Sequence, residues 1–371
     1  SGRTSLDTSE TPMRSTYKSF TYRRNSYKSV SNSLGVVLAL AIVAHVVAHI
    51  DGWAVGAVAS AAGYQDGQRI TFHGYTNCIV LRNKTTQVVL CPEAGGRVLE
   101  YSHRGVNGLY LEEEDTGKPY VPGQPASMSA GRFDIGPEKT IPRHTVLWSG
   151  QWKSRVAGPR KAVLTSQEDK ATGVKLIREF ELALTGSHLR CTQTIINVSD
   201  KMTHWCHWSR TFAQGEGICV IPLSKPSRFP NDYVMYENGD LINIKPSDDN
   251  IRTRDGFLEI LAAPAQPKLG MDSTVGWFAY LMPSDLMFVK RYQVFPERVY
   301  NEAAGLTISI WYPPGKRVEL EPIGPRESLK PGQSASFSEH WWLLDYKFPA
   351  DRKKVALQDV ARKVENETTA K

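Results

Sequence analysis

Four stretches of the 371-residue chain carry side chains that could do chemistry. Arg132-Phe133-Asp134-Ile135-Gly136-Pro137-Glu138 sets an Arg and an Asp on either side of an aromatic, in a glycine-rich segment. Such a set can bind sugar hydroxyls; the plainer alternative is a loop ion pair, worth little energetically. His204-Trp205-Cys206-His207-Trp208-Ser209-Arg210-Thr211 reads as a strand. Side chains alternate along a strand, so His204, Cys206, Trp208 and Arg210 share one face and Trp205, His207, Ser209 and Thr211 the other. If the first face lines a cleft, His204, Trp208 and Arg210 form a sugar-binding set; if the second does, His207 is available. Glu319 and Glu321 lie two apart and share a face. Lys290 and Arg291 follow the apolar run Leu286 to Val289, either to meet an acidic sugar or as solvated strand ends. Trp148 and Trp152 wall a cleft or the core, and nine Trp and fifteen Tyr supply stacking surface of the kind a sugar uses.

Other chemistries find no footing. Gly-x-Ser-x-Gly, P-loop, HExxH and glycine-rich dinucleotide fingerprints are all missing, so no nucleotide cofactor is expected. None of the five cysteines has metal-ligand spacing, and no metal is expected. Cys78 and Cys91 flank Asn83-Lys84-Thr85-Thr86, and Cys191 and Cys206 flank Asn197 to Lys201, so a hairpin at each place would set a pair face to face. Opposed cysteines can form a disulfide under restrictive geometry; small buried apolar thiols are the simpler reading, and Cys219 fits neither pair. The net charge of +7 owes much to Arg14, Lys18, Arg23, Arg24 and Lys28. With no zinc-finger spacing, RNP-like run or basic helix, nucleic acid is not an expected partner. Sequons stand at Asn83, Asn197 and Asn366, and matter where the source glycosylates exported proteins.

The elements that must position these groups read as strands. After a basic disordered segment (1–33), the apolar run Leu34 to Ile50, broken by His45 and His49, leads to Ala59-Ser60-Ala61. Basic, then apolar, then small residues is the grammar of an export signal, and the run is about long enough for an uncleaved anchor. Residues 34–61 are therefore expected to be a signal peptide or membrane anchor, with the protein exported, periplasmic or extracellular, or held at a membrane. From residue 66 to 348, β-branched runs bounded by Asn, Gly and Pro mark short strands. Lys175 to Leu184 alternates, with Leu176, Phe180, Leu182 and Leu184 on one face and Glu179 and Glu181 on the other. Arg190–Asn197 and Thr203–Phe212 read as a hairpin turning at Ser199-Asp200; further strands fall at 275–282, 286–292, 306–312, 318–321 and 336–344. Regularly spaced short strands imply a sandwich or barrel. Segments 117–145 and 222–256 read as long irregular loops, and 349–371 as a helical tail.

On these residues the chain resembles the galactose mutarotase-like (aldose 1-epimerase-like) superfamily. Its opening is similar in Pro92-Glu93-Ala94-Gly95-Gly96-Arg97-Val98, followed by Tyr101 and Asn107-Gly108-Leu109. Its close is similar in Glu319-Leu320-Glu321-Pro322-Ile323-Gly324-Pro325, Leu329-Lys330-Pro331-Gly332 and the Trp-rich strand Phe337 to Leu344. Asn197-Val198-Ser199-Asp200 looks like the superfamily's N-x-S turn. The likeness spans roughly residues 70 to 346. In place of the "H-x-Y-F-N" strand of true aldose epimerases stands His207-Trp208-Ser209-Arg210, which brings the chain closer to the uncharacterised exported relatives.

The resemblance implies an all-β fold, a β-supersandwich, with a sugar or oligosaccharide as ligand. Ring opening of an aldose takes a base at the anomeric hydroxyl and an acid at the ring oxygen. By resemblance Glu321 is the base and His207 the acid, with Glu319 and His204 their near alternatives; Arg132, Asp134, Trp208, Arg210 and Lys290 would complete the binding set. A non-catalytic carbohydrate-binding protein, or a polysaccharide lyase or hydrolase on the same fold, stands beside the isomerase. A lyase would draw on Tyr233, Tyr236 and Arg210. The particular sugar and the oligomeric state are open at this level.

Overall fold

The computed structural model describes residues 65–113, 117–118, 121, 128–237 and 241–368. The expected disordered segment and signal or anchor (1–33 and 34–61) lie outside the described residues.

Alternation builds the most regular pair of strands. In Val174–Leu182 every second residue is buried, Leu176, Phe180 and Leu182 among them, and Leu189–Asn197 largely repeats the pattern. The two pair antiparallel from Leu182 opposite Leu189 to Val174 opposite Asn197, so each presents one apolar face inward. Leu184 falls beyond the strand end and is 69% exposed.

Two antiparallel sheets result. The first, in spatial order, runs β1 (Arg69–Phe72), β2 (Tyr75–Arg82), β3 (Thr86–Cys91), β4 (Arg97–His103), β6 (Gly131–Gly136), β11 (Thr203–Gln214), β21 (Arg317–Leu329), β20 (Ile308–Trp311), β17 (Lys268–Met271), β13 (Val234–Tyr236) and β14 (Ile242–Asn243), with β5 (Val106–Asn107) beside β4. The second runs β15 (Ile251–Arg254), β16 (Phe257–Ile260), β12 (Ile218–Pro222), β18 (Trp277–Met282), β19 (Leu286–Tyr292), β22 (Ser334–Asp345), β10 (Leu189–Asn197), β9 (Val174–Leu182), β8 (Lys161–Thr165) and β7 (Lys153–Gly158). Their inner faces share one core that includes Ile79, Phe133, Phe180, Phe288 and Trp341. Each large apolar side chain buried there stabilises by roughly 1.5–3 kcal/mol. Helix α2 (Leu357–Glu367) lays Leu357, Val360 and Val364 on Trp277, Val289 and Trp342 of the second sheet's outer face. Among the described residues no helix is long and apolar enough to cross a membrane.

Three sequence expectations are corrected. β10 and β11 are not a hairpin: β10 pairs with β9 and β22, while β11 pairs with β6 and β21 in the other sheet. The link between them is a crossover, fastened by the buried Asn197, whose Nδ2 donates to the carbonyls of Lys201 (2.7 Å) and Leu329 (2.8 Å). Cys191 therefore sits in the inter-sheet core and Cys206 in a cluster with Trp208 and Phe229, so they do not face one another. Cys78 and Cys91 do lie on the paired strands β2 and β3, in one buried cluster, and all five cysteines are free thiols. Finally, the segments expected as loops contain structure: 117–145 holds β6, and 222–256 holds β13, β14 and β15.

Candidate functional site

The outer face of the first sheet gathers ionisable groups from five strands. On β6, Phe133 and Ile135 point to the core, so Arg132 and Asp134 point out; on the neighbouring β11, Trp208 and Arg210 stand opposite Asp134 and Arg132 in register. On β21, Val318 and Leu320 join the core, leaving Arg317, Glu319 and Glu321 outward. β20 and β17 bring Ser309 opposite Glu321 and Lys268 opposite Trp311.

Glu321, wholly buried, is the hub. Lys268 Nζ lies 2.8 Å from both of its oxygens, and Trp208 Nε1 donates to Oε2 at 2.6 Å. Arg210 donates from Nε to Glu319 Oε1 at 2.7 Å and from Nη2 to Oε2 at 3.4 Å, while its Nη1 is 3.9 Å from Asp134 Oδ2. Asp134 Oδ1 is 2.7 Å from His144 Nε2, and His144 Nδ1 is 2.7 Å from the Pro142 carbonyl. At the Lys268 end, Glu138 Oε2 stands 3.8 Å away, and Glu302 accepts from the Glu138 amide (2.7 Å) and the Tyr236 hydroxyl (3.3 Å). Aromatic rings wall the network. The Arg210 guanidinium lies 4.8 Å from the centroid of Trp208 and 5.0 Å from that of Trp148, and Arg132 lies 4.5 Å from Trp148. Side-chain exposures of 14% for Lys268 and Arg210, 12% for His144 and 35% for Glu138 keep this network in touch with solvent.

Proton affinities follow from this crowding. Burial, and then the charge of Glu319, push the Glu321 carboxyl up to about 8, against the pull of Lys268 and Arg210. Burial works against the His144 cation, but the charge and hydrogen bond of Asp134 outweigh it and raise the imidazole to about 9. Burial likewise opposes the Lys268 ammonium, yet Glu321 and Glu319 raise its pKa. Asp134 is held below the usual carboxylate range: burial opposes its ionisation, and His144 more than offsets that.

Turn chemistry sets the wall. Trp148 sits on α1 (Thr145–Ser149), and its carbonyl receives Arg132 Nη1 at 2.6 Å. Gly95 of the Pro92–Arg97 turn has φ +80°, and its amide donates to the Gly150 carbonyl at 2.8 Å. A Cβ at Gly95 would lie 2.0 Å from the Trp148 carbonyl oxygen, so only glycine lets this turn approach α1. The buried Arg178 holds the carbonyls of Gly95 (2.5 Å), Gly96 (3.1 Å) and Phe133 from the core side.

Of the residues singled out in the sequence, Glu321, Glu319, Arg132, Asp134, Trp208 and Arg210 come together here. Three do not. His207 is on the inward face of β11, its ring 5.7 Å from that of Phe337, and burial drives its pKa down to about 3. His204 lies toward the start of β11, exposed, with Nδ1 2.9 Å from Ser328 Oγ. Lys290 is neither a solvated strand end nor near a cleft. β19 is an interior strand whose even positions face the core, so Lys290 Nζ is sealed between the sheets, donating to Ser209 Oγ (2.8 Å), Thr211 Oγ1 (2.7 Å) and the Leu320 carbonyl (3.1 Å), with Glu339 at 3.1 Å. Glu138 closes the Arg132–Glu138 stretch, whereas Lys268, His144 and Glu302 carry no sequence signal. Lys268 follows the featureless run Ala263-Pro264-Ala265-Gln266-Pro267, and its place depends on the long-range pairing of β17 with β20.

No protein-family model matches the sequence, and no curated protein does. Solved structures do match in fold. A protein of Synechocystis sp. PCC 6803 is 16% identical, over 75% of this chain and 99% of that one, with a TM-score of 0.52. A galactose mutarotase-like protein of Lactobacillus casei ATCC 334 is 12% identical, over 72% of this chain and all (100%) of that one, also at 0.52. The described domain therefore has the galactose mutarotase-like β-sandwich fold.

Proposed function

We propose that this is a carbohydrate-active protein whose sugar site is the network around Glu321, and that Glu321 serves as base in an aldose 1-epimerase-like ring opening. The observation that carries the reading is Glu321 itself: a buried carboxyl raised to about 8, on an outward strand face, between an ammonium, an indole N–H and two tryptophan walls. Such a poise suits a general base working at mildly alkaline pH. The fold supports a carbohydrate-related role at the level of kinship.

In this reading Glu321 takes the proton from the anomeric hydroxyl as the C1–ring-oxygen bond breaks and a C1 carbonyl forms. His144, a cation up to about pH 9, gives a proton to the departing ring oxygen. Rotation about C1–C2 and the reverse transfers close the other anomer, so protons balance and no cofactor is consumed. Arg210, Asp134 and Lys268 bind the remaining hydroxyls, and Trp148 and Trp208 take the apolar ring face. Proton NMR of anomer interconversion tests this with a panel of free aldoses. Exchange accelerated by the wild type and lost in Glu321→Gln upholds it; no acceleration with any aldose refutes the turnover.

One observation favours a second reading, binding without turnover. Both Glu321 oxygens are engaged by Lys268 and Trp208, and both His144 nitrogens by Asp134 and Pro142. Saturable binding in the same NMR titration, with no exchange, would select it. The basic-then-apolar residues up to 61 lead us to place the domain outside the cytoplasm or at a membrane; recovery of the full-length chain in the cytosolic fraction of its host would refute that placement.

A further inference from the structure

The outward row of β21 does not stop at Glu319. Arg317 shares its face, and four residues of strand span roughly 13 Å, more than a single pyranose ring needs. At this far end Trp311 is half-buried, opposite both Glu319 and Lys268 in register and edge-on to Phe212 with centroids 6.5 Å apart. The Arg317 guanidinium lies 5.4 Å from the centroid of Trp311 and 5.8 Å from that of Tyr110. Its Nη1 is 2.6 Å from Glu112 Oε2, and the Tyr110 hydroxyl donates to Glu112 Oε1 at 2.9 Å. Arg317 and Glu112 remain 29% and 31% exposed.

This patch repeats the chemistry of the Glu321 end: aromatic rings beside a guanidinium and a carboxylate, open to solvent and on the same sheet face. An ion pair that merely pinned residues 109–113 to the sheet would not require two partly exposed rings around it. Glu112 neutralises Arg317, so the patch favours hydroxyls over a charged group. We infer that this sheet face is built for a neutral oligosaccharide of at least two rings, the first at Glu321 and the next against Trp311 and Tyr110. This rests on the sugar-site reading of the Glu321 network.

A glycan array tests it with the full chain, using neutral hexoses, hexosamines and uronic acids, each presented as one-, two- and four-ring chains. The expected result is binding of a neutral chain roughly tenfold tighter at two rings than at one, the scale of one added aromatic–sugar contact. Trp311→Ala should abolish that gain and leave one-ring affinity unchanged. Arg317→Gln, which spares the packing on Phe212, should reduce the gain and guards against a folding defect in the first variant. Equal affinity for one and two rings, or a preference confined to uronic acids, overturns the inference while the sugar site stands. No binding to any array member overturns both.

Discussion

Lys268, Glu321 and Trp208 on the outer face, and Lys290, Glu339 and Trp341 between the sheets, are the same triad built twice. In each the ammonium reaches the carboxylate, at 2.8 Å outside and 3.1 Å inside, and lies over the indole, 5.0 and 4.7 Å from its centroid. In each the indole N–H donates to that carboxylate, at 2.6 and 3.0 Å. What differs is the third dimension. Lys290 is fully buried and makes further bonds to Ser209, Thr211 and Leu320, whereas Lys268 keeps 14% of its side chain exposed, with Glu138 as its other near neighbour. Their proton affinities part accordingly: burial prevails and lowers Lys290, while Glu321 and Glu319 prevail and raise Lys268. A saturated triad is structure; an unsaturated one at a solvent face can exchange a partner for a ligand.

The sharpest break comes from truncating both lysines. Lys290→Ala strands a buried Glu339 carboxylate and should cost about 3–5 kcal/mol, enough to unfold a marginal domain. Lys268→Ala should cost no more than about 1–2 kcal/mol, because Glu321 can take up a proton and water can reach it. Urea unfolding of the pair checks this, and equal losses would erase the distinction. Glu321→Gln should lower anomer exchange about 10²-fold or more with the unfolding midpoint nearly unchanged; Glu339→Gln should do the reverse, lowering the midpoint and sparing whatever exchange remains per folded molecule.

How much of this was legible follows the range of the interaction involved. Parity along one strand is local, so Glu319 and Glu321 on one face, and the two faces of 204–211, could be read directly. Which face meets solvent could not, because it depends on β11 pairing with β6 and β21, strands about 70 and more than 100 residues away. The Asn197 turn looked like a hairpin because an Asx turn has the same residues whether its strands share a sheet or leave for opposite ones. β6 was hidden by Gly131, Gly136 and Pro137, which read as loop. Lys268 is placed by the distant pairing of β17 with β20, and His144 by bonds to Pro142 and Asp134 that no local sequence pattern marks.

Another probe reaches the outer triad through its wall. Gly95→Ala adds a left-handed strain of about 1–2 kcal/mol and a Cβ against the Trp148 carbonyl. The expected result is a loss of stability beyond that strain, because the backbone of α1 must give way, with a several-fold weaker sugar affinity; urea unfolding and the binding titration read the two. Unchanged affinity would show that Trp148 takes no part in the site.

The smallest effects are those of pH, and they carry opposite signs in the two regions. His144 is raised from 6.5 to about 9, so the stability it adds is complete below 6.5 and lost as pH rises through 9. His207 is lowered from 6.5 to about 3, so its contribution is complete above 6.5 and lost as pH falls toward 3. His144→Gln should flatten the alkaline limb of the unfolding midpoint and leave the acid limb alone. Catalysis needs Glu321 ionised and His144 protonated, so exchange should peak between about 8 and 9, and a peak near pH 5 would count against both assignments.

The crossover at Asn197 reaches into how the chain is made. Its side-chain amide gives both protons to the Lys201 and Leu329 carbonyls, and that of Asn83 gives both to Ala183 and Gly186, at 2.8 Å each. Attachment of a glycan replaces one of those protons and plants a bulky group where the two sheets are stitched together. Asn366, exposed on α2, has no such duty. In a glycosylating lumen, Asn83 and Asn197 thus become a race between the transferase and the closing sandwich, and a secreted, folded molecule is one in which closure came first.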